Sequence, residues 1–172
     1  MGTLIAYFSR KGNNYVRGKI VNLAVGNTEA AAEMIQELTD GELFEIEAVH
    51  PYSEDYATCT EEAQEELRAN ARPELTTQIS DFEQYDVIYL GYPNWWGTMP
   101  MPVFAFLEQY NFDGKTIRPF CTNEGSGMGR SEADIKRLCP TAKVGKGLAI
   151  HGGSVSGARP AIAAWVKEGR ES

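Results

Sequence analysis

Two adjacent indoles, Trp95 and Trp96, stand between Asn94 and Thr98 in the stretch Tyr85 to Pro102, YDVIYLGYPNWWGTMPMP. Large flat side chains beside short polar groups suit a planar ligand. Ser9, followed later by Gly26-Asn27-Thr28 at a helix start, offers hydroxyls and exposed backbone N–H groups. That combination suits an anion, phosphate above all. Glu29, in the first turn, suits the helix dipole but must point away from such an anion. The run Thr122-Asn123-Glu124-Gly125-Ser126-Gly127-Met128-Gly129 is rich in glycine. Its backbone can approach a ligand closely and read the edge of a heterocycle. A phosphate cradle, an aromatic wall and a backbone-rich edge together describe a phosphorylated planar ligand. Each has a plainer alternative: indoles filling the core, a simple Asn/Thr cap, a flexible surface loop. Tandem tryptophans between prolines belong to a loop, however, and a loop does not easily bury both.

Other chemistry is excluded or unsupported. No GK[ST] follows a glycine loop, so a P-loop is absent, and no G-x-G-x-x-G follows the first strand. Cys59, Cys121 and Cys139 show no CxxC and no Cys/His cluster, which argues against a disulfide framework or a zinc site. No nucleophile–base pair is evident, and His151 reads as a structural hydrogen-bonding residue; no catalytic or metal-binding residue is assigned. The 24 acids against 16 bases give a net charge of −8. That disfavours nucleic acid and anionic membrane as partners. It is compatible with docking on basic protein patches, or with solubility alone. With no leader pattern and no long apolar run, the expected location is cytoplasmic.

The elements that must position these loops alternate in type. Val87-Ile88-Tyr89-Leu90 reads as a strand buried on both faces, and Gly91, Pro93 and Gly97 then break it. Leu4 to Phe8 is a first strand, and Arg10 to Val25 an irregular stretch. A helix carries Ala31, Met34, Ile35 and Leu38 on one face and ends at Gly41. Leu43 to Val49 alternates polar and apolar as an edge strand does. Thr58-x-x-Glu61 has the form of a capping box, opening a helix that runs to about Ala71. Val103, Phe106, Leu107 and Tyr110 mark a third helix. Thr116 to Cys121 is a strand in which Pro119 predicts a local irregularity. Ser131 caps a helix that Pro140 stops. Gly147 to Ile150 is a last strand, Gly152-Gly153-Ser154 a turn, and Ala158, Ile162, Trp165 and Val166 a final helix with Pro160 in its first turn. The alternation predicts one α/β domain over 1–172, a three-layer αβα sandwich on a five-stranded parallel sheet of order 2-1-3-4-5. Ligands then bind at the C-terminal edge of the sheet.

On these residues the chain resembles the flavodoxin family. The resemblance is carried by Ser9 with Gly26-Asn27-Thr28, by Pro93-Asn94-Trp95-Trp96-Gly97-Thr98 within a PNWWGTMPMP loop, and by Cys121 to Gly127. It covers nearly the whole chain. It implies FMN as cofactor, held by Ser9, Arg10, Gly26, Asn27, Thr28, Pro93 to Thr98, and Thr122 to Gly127. It implies that Trp96 stacks on the flavin and that Gly97 lies where the family's peptide turns toward N5. The chain departs from the family in the long spacer Arg10 to Val25. The spacer adds Arg10, Lys11 or Arg17 as phosphate or partner contacts, or is a surface loop. The implied function is electron transfer between protein partners. The alternative is an FMN-dependent NAD(P)H or quinone oxidoreductase, as a monomer or homodimer.

Overall fold

The computed structural model describes residues 2–171. Its first strand, β1 (Gly2–Tyr7), sends Leu4 and Ala6 into one core and Ile5 and Tyr7 into another. A strand apolar on both faces belongs in the middle of a covered parallel sheet. The chain then leaves the sheet in an antiparallel hairpin, β2 (Gly12–Val16) and β3 (Lys19–Leu23). This corrects the expectation of an irregular stretch. Arg17 and Gly18 make a two-residue turn with φ of 51° and 83°, the paired positive values that match strand twist in tight hairpins.

After helix α1 (Asn27–Thr39), strand β4 (Glu42–Glu45) pairs in parallel with β1. On the other side β1 pairs with β5 (Tyr85–Pro93), which pairs with β6 (Thr116–Asn123). Two short strands share the last position. β7 (Lys143–Val144) pairs with the start of β6 and β8 (Leu148–His151) with its end. The order β4-β1-β5-β6, with β7 and β8 outermost, is the predicted 2-1-3-4-5 with its fifth position divided.

That division explains Pro119. The pairing of β5 with β6 runs without a shift from Val87–Thr116 to Pro93–Thr122, so the expected irregularity is absent. The carbonyl of Ile117 accepts from Gly145 N–H on the β7 side, and that of Thr122 accepts from Asn94 N–H on the β5 side. Alternation therefore points the missing N–H of Pro119 outward, between the segments paired with β7 and β8, where no ladder bond is lost.

The remaining helices are α2 (Tyr56–Ala69), α3 (Met101–Gln109), α4 (Ser131–Leu138) and α5 (Arg159–Glu171). α1 and α5 cover one face through Ala31, Ala32, Ile35, Ile162, Trp165 and Val166. α3 and α4 cover the other through Val103, Phe106, Leu107 and Ile135. Burying each large apolar side chain contributes roughly 1.5–3 kcal/mol. α2 buries only Cys59 and Ala63, in keeping with its thin apolar face.

Several boundaries move for local reasons. β5 continues through Gly91 because a Cβ there would lie 2.2 Å from the Phe120 ring; the glycine admits a neighbour rather than ending the strand. Asp55, not Thr58, caps α2, accepting from Thr58 N–H at 3.0 Å. Asp40 takes the left-handed conformation expected of Gly41. Ser131 lies inside α4 and donates to the Met128 carbonyl at 2.6 Å instead of capping. Beyond Glu45 the alternation persists but the partner changes, with Ala48 bridging to Leu75. Among the described residues no helix is long and apolar enough to cross a membrane.

Candidate functional site

The C-terminal ends of β1, β5 and β6 open onto a cleft of about 400 Å³, within the range of small-molecule sites. Three predicted loops converge on it. Arg10, Asn27 and Thr28 line it from the first, Pro93, Asn94, Trp95 and Trp96 from the second, and Thr122, Asn123, Glu124 and Ser126 from the third.

The first loop presents the start of α1. Ser9 Oγ accepts from Glu29 N–H at 3.0 Å, and so fastens α1 to the end of β1. Ser9 borders a neighbouring cavity rather than this cleft, and Gly26 is packed against it. The N–H groups of Asn27 and Thr28 belong to the first turn, where helical acceptors are lacking. The Thr28 hydroxyl shares a 2.7 Å hydrogen bond with that of Thr122, tying α1 to β6. Arg10 donates to the carbonyls of Asn13 and Glu54 at 2.9 and 3.0 Å.

The second loop divides its tryptophans. Trp95 is half-buried, edge-on to Phe8 and Tyr52 with centroids 5.2 and 5.1 Å away. Trp96 is 48% exposed. Core filling thus describes Trp95 in part, and Trp96 not at all. Trp95 and Thr98 exchange backbone hydrogen bonds around Trp96 and Gly97, whose φ values are 57° and 89°. A bulky residue in the left-handed region carries strain of about 1–3 kcal/mol. The indole Nε1 of Trp96, donating to the Thr60 carbonyl at 2.9 Å, helps hold it.

Asn94 joins the second loop to the third. Its Oδ1 accepts from Gly97 N–H and its Nδ2 donates to the Gly127 carbonyl, both at 2.9 Å. Gly97 and Gly127 therefore frame the cleft without lining it. Thr98, also expected at the site, is buried, and its hydroxyl donates to Asp134. Gly125 is exposed, its N–H donating to Asn123 Oδ1.

Sequence reasoning missed one wall. Asn14 and Tyr15 of the hairpin and Tyr56, Cys59, Thr60 and Ala63 of α2 also line the cleft, with Gly152. The Tyr15 and Tyr56 rings stack with centroids 6.3 Å apart. The two-residue spacing between the runs NNYV and KIV was the available signal for the hairpin. α2 gave none, because its place over the cleft follows from tertiary packing.

Cys59 is the cleft's thiol. Burial raises its pKa, the Arg10 charge opposing, and burial also pushes Cys121 up to about 12 and Cys139 up to about 11. The reactive thiolate is then scarce near neutrality. Iodoacetamide at pH 8 is expected to alkylate Cys121 and Cys139 at least ~100-fold more slowly in the folded chain than in urea, where the pKa returns to about 8.5, and Cys59 more slowly as well. Mass spectrometry checks this. Labelling of the folded chain at the unfolded rate would contradict it.

The comparisons agree with this architecture. The family model described as flavodoxin matches residues 3–169, and the chain belongs to that family. A putative flavoprotein from Bacteroides uniformis is 29% identical, with a TM-score of 0.74 over 96% of this chain and 97% of that one. One from Bacteroides eggerthii is 27% identical, with a TM-score of 0.72 over 94% and 98%. A flavoprotein in complex with FMN from Lactobacillus acidophilus shares the fold at 24% identity, with a TM-score of 0.66 over 91% and 97%. No curated protein matches the chain in sequence.

Proposed function

We propose that the chain binds FMN in this cleft and carries electrons between redox proteins. The observation that carries the reading is one continuous cleft with a helix N-terminus at Asn27 and Thr28 and an aromatic wall at Trp95 and Trp96. A phosphorylated, planar ring system needs both. Family membership and the FMN-bound structural neighbour support the same cofactor. When bound, FMN supplies one- and two-electron chemistry, and the chain supplies binding, orientation and field. The amides of Asn27 and Thr28 and the charge of Arg10 hold the phosphate. Trp96 offers its exposed face to the ring, and the backbone from Thr122 to Ser126 reads the ring edge. Titration of FMN into the protein is expected to quench flavin and tryptophan emission together at a one-to-one ratio. Unchanged emission at micromolar concentrations would sink the reading.

A second reading, an FMN-dependent NAD(P)H or quinone oxidoreductase, draws on a neighbouring cavity of about 590 Å³ that shares Arg10 and Trp95 with the cleft. Such a space is large enough for a substrate. Anaerobic stopped-flow of the FMN-loaded protein with NADH and NADPH separates the two. The carrier reading expects flavin bleaching slower than ~1 per second, the low end of enzyme turnover. Rapid bleaching by either nucleotide, with reoxidation by a small quinone, would replace it with the enzyme.

A further inference from the structure

Glu124 lines the cleft, yet its carboxylate is engaged elsewhere. Oε1 accepts from Arg17 N–H at 2.7 Å and Oε2 from Gly153 N–H at 3.1 Å, with His151 Nδ1 3.6 Å from Oε2. Arg17 forms the hairpin turn, and its Nη2 donates to Ser154 Oγ at 3.1 Å. Gly153 leaves room for that arginine: a Cβ there would lie 2.8 Å from Arg17 Cγ. The hairpin tip is thus seated on the Gly152–Ser154 turn, far along the chain. Between tip and base Asn14 and Tyr15 line the cleft, and Arg10 lines it just before the base. An isolated two-stranded ribbon is marginally stable in water, so the ribbon's position depends on what fastens its tip. Two N–H donors converge on one carboxylate whose side chain is only 18% exposed. A carboxylate satisfies both donors; an amide would satisfy one and set its own N–H groups against the other.

We infer that Glu124 is a positioning residue. It holds the hairpin tip down so that the ribbon spans the cleft as a strap and slows departure of the cofactor. This rests on the FMN reading above. Two measurements on the full-length chain test it separately. Trypsin cuts after Arg17 and Lys19 report whether the tip is seated, and need no cofactor. Glu124→Ala is expected to speed those cuts, and to speed dissociation of FMN and of riboflavin alike, each by about tenfold, the scale for losing a charge-assisted hydrogen bond. Glu124→Gln should fall between. Gly153→Ala presses on Arg17 from the other side and does not line the cleft; it should produce both changes, more weakly. Cleavage unchanged in both alanine variants overturns the fastening. Faster cleavage with unchanged dissociation overturns the hold on the cofactor. A loss confined to FMN, with riboflavin unaffected, would make Glu124 a phosphate-end residue instead. If the parent fails to bind FMN, the proposed function falls, and cleavage alone judges the fastening.

Discussion

Replacing Arg118 with alanine is expected to lower stability by about 3 kcal/mol, near the upper range for a single buried truncation. Arg118 rises from β6 under α5 and is only 7% exposed. Its Nη2 donates to the Trp165 carbonyl at 2.6 Å and its Nη1 to the Tyr89 hydroxyl at 2.9 Å. The guanidinium lies 4.4 Å from the centroid of the Trp165 ring and 5.2 Å from that of Tyr89. Carbonyl dipoles and ring faces, rather than a carboxylate, balance its charge in these contacts. Truncation leaves a cavity and unpairs the Tyr89 hydroxyl. Lysine keeps the charge but loses the fork, so Arg118→Lys should fall between. Gly169 supplies the internal check. A Cβ there would lie 2.0 Å from the guanidinium carbon, so Gly169→Ala should destabilise the parent by expelling Arg118. In the Arg118→Ala background the same change meets no guanidinium and should stabilise by up to ~1 kcal/mol through helix propensity. Urea unfolding of the four proteins decides it. A loss for Arg118→Ala under ~0.5 kcal/mol, or the same sign for Gly169→Ala in both backgrounds, would contradict the account.

Gly26→Ala is expected to weaken FMN about 100-fold while leaving riboflavin far less affected, the scale of losing a charged hydrogen bond or two. Gly26 sits at φ −65° and ψ 154°, a conformation open to any residue. Its substitution is therefore a purely steric experiment. The new Cβ would fall 2.3 Å from Ser9 Oγ and 2.6 Å from the Arg10 carbonyl oxygen. Backbone cannot rotate away, so the first turn of α1 must shift from β1 and loosen the bond from Glu29 N–H to Ser9. The amides of Asn27 and Thr28 move with it. Isothermal titration with both ligands, and circular dichroism to confirm the fold, measure the outcome. Equal losses for FMN and riboflavin would move the phosphate away from α1.

What was legible in the sequence follows from which forces were local. β1 and β5 were readable because a strand covered on both faces must be apolar throughout, as in Leu4–Tyr7 and Val87–Leu90. Loops ending such strands stand out by their glycines, prolines and tryptophans. Pro119 misled because its harmless direction depends on where β7 and β8 stop, which no neighbour in sequence reveals. β7 is two residues long and has no pattern to read. Gly91 misled because a break and a close approach use the same residue. Arg10, named as a cofactor contact, lines the cleft, and so do Asn14 and Tyr15, which were not named because Arg17-Gly18 is a less familiar turn than Asn-Gly. Ser9 was named for a phosphate contact; its oxygen accepts from Glu29 N–H, a bond that only the folded position of α1 reveals and that leaves the hydroxyl proton free to donate.

The hairpin leaves and re-enters the fold at nearly one point. Gly26 lies against the carbonyl of Arg10 so closely that a Cβ on it would stand 2.9 Å from the Arg10 carbonyl carbon. The segment from Lys11 to Val25 is therefore an excursion with a shared doorway, neither stretching the sheet nor parting β1 from α1. Closure entropy grows only slowly with loop length, so such a doorway admits segments of very different size. The residues flanking it are a natural splice site. Shorter or longer ribbons can be exchanged there, and with them the wall that faces the cleft, while the parallel sheet beneath keeps its register.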